Sequence, residues 1–354
     1  MGGCMDTYRC RPVLIVLLLV LFTAACRSGD GTQYKVIYSS DTQPQPSTEA
    51  SEAPYAYTIG MVPKATGNSY FNQVEDGARE AAKDLGVKLI YEGSPVADTE
   101  QQIRSIRNLM ARGVDLLAVS ANDSQKLAPV LKEAQNRHIR VITWDSDTAK
   151  DTRELFINMV DPETLGRHLM DALALQMGEQ GQYAILTGTA GASNMGEWVK
   201  WIKVQNEEYY PRMTLVATVA TDDDSQKAYS ASVKLLQKYP QLKGVIGSSS
   251  VATPAAAQAV LDRGAAGRIH IVGLSTPNLM RPYLNDGTVR NVTLWSPKKL
   301  GYLTMVLANN LLDSVSPVNG ETIRNVGEIR VKDDTVIMGD PLDFTKANVD
   351  EYDF

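Results

Sequence analysis

From Tyr55 onward, short apolar runs alternate with longer segments whose apolar residues recur at helical spacing. The first run, YTIGMV (57–62), has the length and composition of a buried strand, and the segment 71–86 that follows has helical spacing and stops at Gly86. The same order of run and helix repeats as far as Asp145. Because successive strand–helix units build parallel strands joined by right-handed crossovers, this pattern predicts an α/β fold with a doubly wound parallel sheet.

The pattern restarts after a break. LFINMV (155–160) is followed by the helix-like segment 162–178, and strand-like and helix-like segments then alternate up to HIVGLS (270–275). Two successive units predict two doubly wound lobes, with one large sheet as the alternative. Since open α/β sheets bind ligands at the carboxyl ends of their strands, two facing lobes predict a small-molecule cleft between them.

The first 25 residues have the features of a signal peptide. Arg9 and Arg11 precede the apolar run 13–22, and small residues follow it. A membrane-spanning helix needs about 20 apolar residues, so this run is too short to be one. We therefore expect export, which places the folded body outside the cytoplasm.

Cys26 follows Thr23-Ala24-Ala25, which resembles a bacterial lipoprotein cleavage box. In such a box the cysteine becomes the acylated N-terminus, so we expect a lipid anchor at Cys26. Thr23 stands where the box usually has an aliphatic residue, which leaves ordinary cleavage after Ala25 as the alternative. Residues 26–54 are polar and rich in Ser, Thr and Pro, and they are expected to form a flexible stalk between the anchor and the body.

The composition narrows the class of protein. A chain of 354 residues with 44% hydrophobic side chains can form two domains with sizeable cores. A net charge of −6 argues against a nucleic-acid partner. Cys4, Cys10 and Cys26 all precede the body, which therefore has no disulfide framework and no thiol nucleophile.

Signals of catalysis or cofactor binding are missing. His138, His168 and His270 are far apart and lack metal-ligand spacing, and there is no P-loop, G-x-G-x-x-G or G-x-S-x-G segment. The acidic run 222–224 stands at a strand-to-helix junction, where helix capping is the favoured interpretation. An enzyme of sugar metabolism would need an acid and a base, and Asp145 has no convincing partner. We expect neither enzymatic activity nor a cofactor or metal.

Polar and aromatic residues occur where the predicted strands end. Sugar binding requires hydrogen-bonding groups around the ring edge and aromatic side chains against its faces. The candidates from this reasoning are Lys64, Tyr70, Phe71, Trp144, Asp145, Asn194, Trp198, Ser248, Ser249, Ser250, Pro254 and Trp295. Packing between the lobes is the alternative role for the aromatic residues, and helix capping is the alternative for Asp145.

Several stretches of the body resemble the sugar-binding, type I periplasmic binding proteins of ABC transporters. Within that family they are most similar to the rhamnose-binding and autoinducer-2-binding receptors. The stretches are MVPKATGNSYFNQVEDGA, VITWDSDT, ASNMGEWVKWIK, ATPAAAQAV, GLSTPNLMRPYLNDGTV, LWSPKKLGYL and the terminal YDF.

The resemblance implies a fold of two lobes joined by three crossover strands. The two lobes are expected to close on the ligand. It implies a first lobe of 55–160 plus 296–320 and a second of 161–295 plus 321–354. It also implies a monomer that hands its ligand to a membrane permease. A role in sensing would use the same cleft. A sugar-responsive transcription regulator has a related core but needs a DNA-binding segment, whereas residues 1–54 offer a signal and a stalk.

The resemblance also implies site residues. Lys64, Asp145, Pro254 and Ala256 match ligand-binding positions of the autoinducer-2 receptors, whereas Asn194 and Met195 replace an Asp-Gln pair of that site. This replacement favours a rhamnose-like sugar over autoinducer-2.

Three further positions differ from many relatives. Ser249, Ser296 and Lys299 stand where acidic or amide residues are common in the family. Their exchange predicts a more positive cleft and raises the hypothesis of a ligand with a carboxylate or phosphate. The alternative is that Lys298 and Lys299 point to solvent at a helix start.

Overall fold

A computed structural model describes residues 55–354, which form two α/β lobes. The predicted fold class is confirmed. The helices and strands of the first part of the chain are β1 (Thr58–Val62), α1 (Ser69–Leu85), β2 (Lys88–Tyr91), α2 (Thr99–Ala111), β3 (Leu116–Val119), α3 (Ser124–Asn136), β4 (Arg140–Trp144) and β5 (Leu155–Asn158). These five strands are parallel and lie in the order β5-β4-β3-β1-β2.

The second lobe repeats the design. Its elements are α4 (Pro162–Met177), β6 (Gly181–Thr187), α5 (Ser193–Tyr209), β7 (Met213–Ala220), α6 (Ser225–Lys238), β8 (Leu242–Gly247), α7 (Ala252–Asp262), β9 (His270–Gly273), α8 (Pro277–Asn285) and β10 (Asn291–Leu294). Strands β6 to β9 form a parallel sheet in the order β7-β6-β8-β9. A bridge between Leu274 and Thr293 places β10 beside β9.

The remaining elements return to the first lobe and then leave it again. They are α9 (Pro297–Leu312), β11 (Thr322–Ile323), β12 (Gly327–Glu328), β13 (Arg330–Lys332), β14 (Thr335–Ile337) and β15 (Leu342–Thr345). β14 pairs with β5, and β15 pairs with β10. The chain therefore crosses between the lobes at 159–161, 295–296 and 338–341.

The lobe boundary predicted near the C-terminus is wrong. The sequence placed 321–354 in the second lobe, but β13 and β14 extend the first-lobe sheet, with Thr335 opposite Phe156. These strands have three residues each, and β13 (RVK) has two charged side chains, so neither has the longer apolar run that marked the other strands. Only the segment from β15 onward belongs with the second lobe.

Close packing fixes α9 to the first lobe. A Cβ added at Gly301 of α9 would clash with the carbonyl oxygen of Val74 on α1, and one added at Gly77 of α1 would clash with that of Lys298. Glycine at both positions lets the two backbones approach more closely than side chains allow. α9 and α1 therefore form one unit, although most of the second lobe separates them along the chain.

The helix boundaries follow from local chemistry. The Asn68 side chain accepts a hydrogen bond from the Phe71 backbone at the start of α1, which ends at Gly86 with φ of 66°.

Across residues 55–354, no helix is both long and apolar enough to cross a membrane. The predicted signal peptide, Cys26 anchor and stalk lie outside the described residues.

Candidate functional site

A cavity lies between the lobes, at the carboxyl ends of the strands, as the strand pattern predicted. Its volume is about 30 Å³, and one ordered water needs about 10–15 Å³. The cavity is therefore narrow with the lobes together, which restricts a ligand to a compact molecule rather than a long oligosaccharide.

Three charged side chains meet at the cavity. The Lys64 ammonium lies 3.5 Å from a carboxylate oxygen of Asp145 and 3.8 Å from one of Asp223, and all three side chains are at least 94% buried. Asp145 belongs to the first lobe and Asp223 to the second, so the lysine bridges the cleft. Burial alone would lower the pKa of Lys64, but attraction to Asp145 and then Asp223 outweighs it and leaves this pKa raised. The ammonium is therefore charged at neutral pH.

Asp145 follows β4 in a left-handed backbone conformation, with φ of 60°. Asp tolerates this conformation better than larger or branched residues do. Its carboxylate accepts hydrogen bonds from Ser120 at 2.6 Å and Tyr70 at 3.3 Å, with the Asn194 amide at 3.5 Å. The carboxylate is therefore held in one orientation by groups from both lobes.

Aromatic rings surround the charged cluster. The rings of Tyr70 and Trp295 are perpendicular with centroids 6.0 Å apart, and the Trp295 indole donates to the Tyr70 hydroxyl at 3.0 Å. Burial and then the nearby Asp145 charge raise the pKa of Tyr70 well above its ordinary value, so this phenol stays neutral. Trp198 lies 5.8 Å from Trp295, centroid to centroid. Such rings can pack against the C–H faces of a sugar.

A buried glutamine holds the loop that carries Lys64. The Gln102 amide nitrogen donates to the carbonyl oxygens of Pro63 at 2.9 Å and Ser120 at 2.7 Å, and its oxygen accepts from the Asn122 backbone at 3.0 Å. The Asn122 side chain in turn donates to the carbonyl oxygen of Lys64 at 2.9 Å. The ends of β1 and β3 are thereby tied together directly beneath the charged cluster.

Direct contacts also join the lobes at the side of the cavity. The Ser193 hydroxyl accepts from the Asp147 backbone nitrogen at 2.8 Å and donates to its carbonyl oxygen at 3.0 Å. The Ser124 backbone nitrogen donates to the carbonyl oxygen of Gly191 at 3.1 Å. The structure therefore shows the lobes closed on each other.

The predicted site residues divide into two groups. Those that line the cavity are Lys64, Tyr70, Phe71, Asp145, Met195, Ser249 and Trp295. Those outside its lining are Asn194, Pro254, Ala256, Ser296 and Lys299. Asn194 still reaches Asp145 from the start of α5, whereas Ala256 is buried within α7.

Ser296 and Lys299 instead make hydrogen bonds at the start of α9. The Ser296 hydroxyl accepts from the Lys299 backbone, and the exposed Lys299 ammonium donates to the carbonyl oxygen of Val326 at 2.9 Å. Lys298 pairs with Glu80 at 2.8 Å. Neither lysine adds positive charge to the cavity, which corresponds to the solvent-facing alternative.

Trp198 and Ser250, which the sequence had placed among the polar and aromatic residues near strand ends, also line the cavity. The cavity residues that the sequence reasoning missed are Asn68, Asp223, Leu274 and Leu294. Asp223 was hidden in an acidic run that was interpreted as a helix cap. Asp224 does cap α6, accepting from Lys227, but Asp223 points to Lys64. A polar residue after a strand was the available signal, and it applied to Asp223 as it did to Asp145.

Residues 59–315 match the family described as periplasmic binding protein domain. This match covers more than half of the chain, so the chain belongs to that family. Members are binding proteins rather than enzymes, which confirms the predicted class. In the described part of the chain, no group of three or more His, Cys, Asp or Glu side chains could hold a metal ion.

Solved structures and curated relatives agree with this assignment. An ABC transporter solute-binding protein from Clostridium phytofermentas with bound L-rhamnose is 27% identical, with a TM-score of 0.79 over 83% of this chain and 97% of that one. LsrB from Clostridium saccharobutylicum in complex with AI-2 is 26% identical, with a TM-score of 0.79 over 84% and 100%. The D-ribose/D-allose-binding protein of Pseudomonas aeruginosa is 25% identical over 68% of this chain and 77% of its own length.

Proposed function

We propose that this protein is the extracytoplasmic sugar-binding lipoprotein of an ABC importer and that it captures one neutral, rhamnose-like monosaccharide between its lobes. The observation that carries the proposal is the closed cavity in which Lys64, Asp145 and Asp223 meet among aromatic rings. The similar proteins that bind L-rhamnose, AI-2 or D-ribose and D-allose support a compact polyhydroxylated ligand.

The charge of the cavity favours a neutral ligand. Two buried carboxylates face one buried ammonium, so the cluster already carries an excess negative charge. A sugar acid would add another buried anion without a new cation, since Lys299 lies elsewhere, and uncompensated buried charge is costly. Hydroxyl groups can donate to the carboxylates and accept from the ammonium without adding charge.

Binding would work by closure of the lobes. The ligand would contact Asp145 on one lobe and Asp223 on the other only in the closed form, so it would shift the population toward closure. The permease would then recognise the closed surface rather than the sugar. No covalent step is required of the protein.

Calorimetric titration of the purified chain tests the ligand. The panel is L-rhamnose, D-ribose, D-allose, AI-2 and sugar acids matched to the neutral sugars. We expect binding of a neutral monosaccharide and a gain of about 2.7 kcal/mol in unfolding free energy at 100 times its dissociation constant. Failure of every monosaccharide to bind, or tighter binding of a sugar acid, contradicts the proposal. Tight binding of AI-2 alone would identify the second candidate function, an autoinducer-2 receptor.

The proposed anchor is tested separately. Mass spectrometry of the mature protein from the membrane fraction should find an acylated Cys26 as its first residue. The Cys26→Ser variant should lack the acyl chains and leave the membrane fraction. A wild-type protein that begins at unmodified Cys26 indicates ordinary cleavage after Ala25 and removes the lipoprotein part of the proposal.

A further inference from the structure

Part of the cavity lining is apolar. Leu274 follows β9 and Leu294 ends β10, and the bridge from Leu274 to Thr293 holds the two strand ends together. Met195 and Trp198 are three residues apart on α5, and Trp198 packs against Trp295. The apolar wall consists of Met195, Trp198, Leu274, Leu294 and Trp295, all of which line the cavity and are at most 5% exposed.

The side chains of this wall offer a ligand almost nothing to bond with. Their nitrogen-bearing groups are the two indoles, and the Trp295 indole already donates to Tyr70. The Trp198 indole nitrogen has no partner, so one donor remains and no strong acceptor. By contrast, Lys64, Asp145 and Asp223 supply charged partners elsewhere in the same cavity.

The cavity has both charged and apolar lining residues, and this restricts the chemistry of the ligand as well as its size. A hydroxyl directed at Leu274 or Leu294 loses its water and gains no acceptor, and an unpaired buried polar group costs about 1–3 kcal/mol. A methyl group at the same place gains by burial. The part of the ligand that meets Leu274 and Leu294 should therefore carry carbon rather than oxygen, whereas a hydroxyl can still accept from the Trp198 indole.

We infer that the apolar wall selects sugars with a terminal methyl group, so that a 6-deoxyhexose binds in preference to the hexose of the same configuration. The inference rests on the proposed function and names the substrate class of the same cavity. The ring hydroxyls of such a sugar face Lys64, Asp145 and Asp223, while its C6 methyl group lies against Leu274 and Leu294.

Pairs of sugars that differ only by the oxygen at C6 test the inference. Calorimetric titration of the purified full chain compares L-rhamnose with L-mannose, L-fucose with L-galactose, and D-quinovose with D-glucose. In the pair that binds, the deoxy member should bind about 10- to 100-fold more tightly, since this is the range that one unpaired hydroxyl produces. Equal affinities, or tighter binding of the hexose, overturn the inference and leave the proposed function intact. If no member of any pair binds, and no other monosaccharide binds either, the proposed function itself fails.

Variants at the wall show whether these residues cause the preference. Leu274→Asn adds hydrogen-bonding groups on a side chain with the same branching and number of heavy atoms, and the deoxy preference should shrink at least several-fold. Leu274→Met keeps the wall apolar and should retain the preference. Unchanged selectivity in a folded Leu274→Asn protein contradicts the assignment to the wall. Should that variant not fold, Leu294→Asn and the wild-type pairs decide the question.

Discussion

The Lys64 ammonium on the first lobe lies 3.8 Å from the Asp223 carboxylate on the second, while Asp145 holds it at 3.5 Å from its own side. Removing the cation leaves two carboxylates facing each other across the cleft. Breaking a buried ion pair by deleting one partner typically costs 3–5 kcal/mol. We therefore expect Lys64→Met to weaken binding of the identified sugar by more than ~100-fold, as measured by calorimetric titration.

Lys299→Met is the matched control for that variant. Lys299 is exposed and bonds to a backbone carbonyl outside the cavity, so its loss should leave sugar affinity within about 2-fold, as is usual for surface substitutions. Equal losses in the two variants would mean that Lys64 has no special role in the cleft.

Gly191 offers a test of lobe closure. A Cβ at this position would lie 2.8 Å from the Asp123 carboxyl carbon on the opposite lobe, too close for the closed form. Separation of the lobes would remove this contact, so Gly191→Ala should weaken sugar binding at least ~10-fold, if the clash costs about 1–3 kcal/mol as overpacking does. Small-angle scattering should also show less compaction on adding the ligand.

Gly196→Ala controls for the methyl group itself. Gly196 lies within α5 of the same lobe, with no atom close to an added Cβ. This variant should close normally and gain about 0.4–1 kcal/mol of stability through reduced freedom of the unfolded chain. Closure that is equally impaired in both variants would rule out the Asp123 contact as the cause.

The unpartnered Trp198 indole nitrogen is expected to donate to a ligand hydroxyl. Trp198→Phe removes the donor and keeps an aromatic ring, so affinity should fall about 2- to 10-fold, the range for one neutral hydrogen bond. The ligand-free protein loses no internal hydrogen bond and should melt within a few degrees of the wild type. Unchanged affinity in the variant would show that the ligand does not use this donor.

The sequence could predict the two lobes, and it could predict Lys64 and Asp145, for a common physical reason. Buried parallel strands read as apolar runs, and the first polar residue after such a run must lie at the ligand-binding edge of the sheet. Met195 and Trp295 were found through the family resemblance and the aromatic pattern. These signals are local in the sequence, so they can be recognised without knowledge of the tertiary structure.

The remaining features depend on contacts between distant segments. Asp223 was hidden beside the true cap, Asp224, because both follow a strand and precede a helix. Leu274 and Leu294 look like ordinary strand residues until their two strands meet at the cavity. The strands β13 and β14 have only three residues each, too few to be recognised before β14 pairs with β5.

A pH-dependent contribution to stability is expected from His168. Its imidazole contacts Asp343 at 2.9 Å, and this hydrogen bond, which outweighs partial burial, raises the pKa of His168 above 6.5. The folded state therefore binds the proton more tightly than the unfolded state does. The stabilisation is complete below about pH 6.5 and disappears as the pH rises through the raised value.

Thermal melts between pH 5 and 8 measure this effect. The wild type should lose stability across the upper part of this range, and His168→Gln should lose less. His270, whose pKa is lowered by burial and then by nearby cations, has the opposite sign but is present in both proteins, so it cancels in the comparison. Parallel curves for the two proteins would exclude the contribution of His168.

The glycine contacts between α1 and α9 bear on where the molecule can bend. Because α9 is fixed to the first lobe from its first turn, any rotation between the lobes on this segment must occur at Trp295 and Ser296. Trp295 also lines the cavity, so one residue belongs both to a connection between the lobes and to the binding site. A sugar that contacts its ring therefore contacts a hinge residue. A substitution at Trp295 should change the flexibility of the hinge together with the affinity for the ligand.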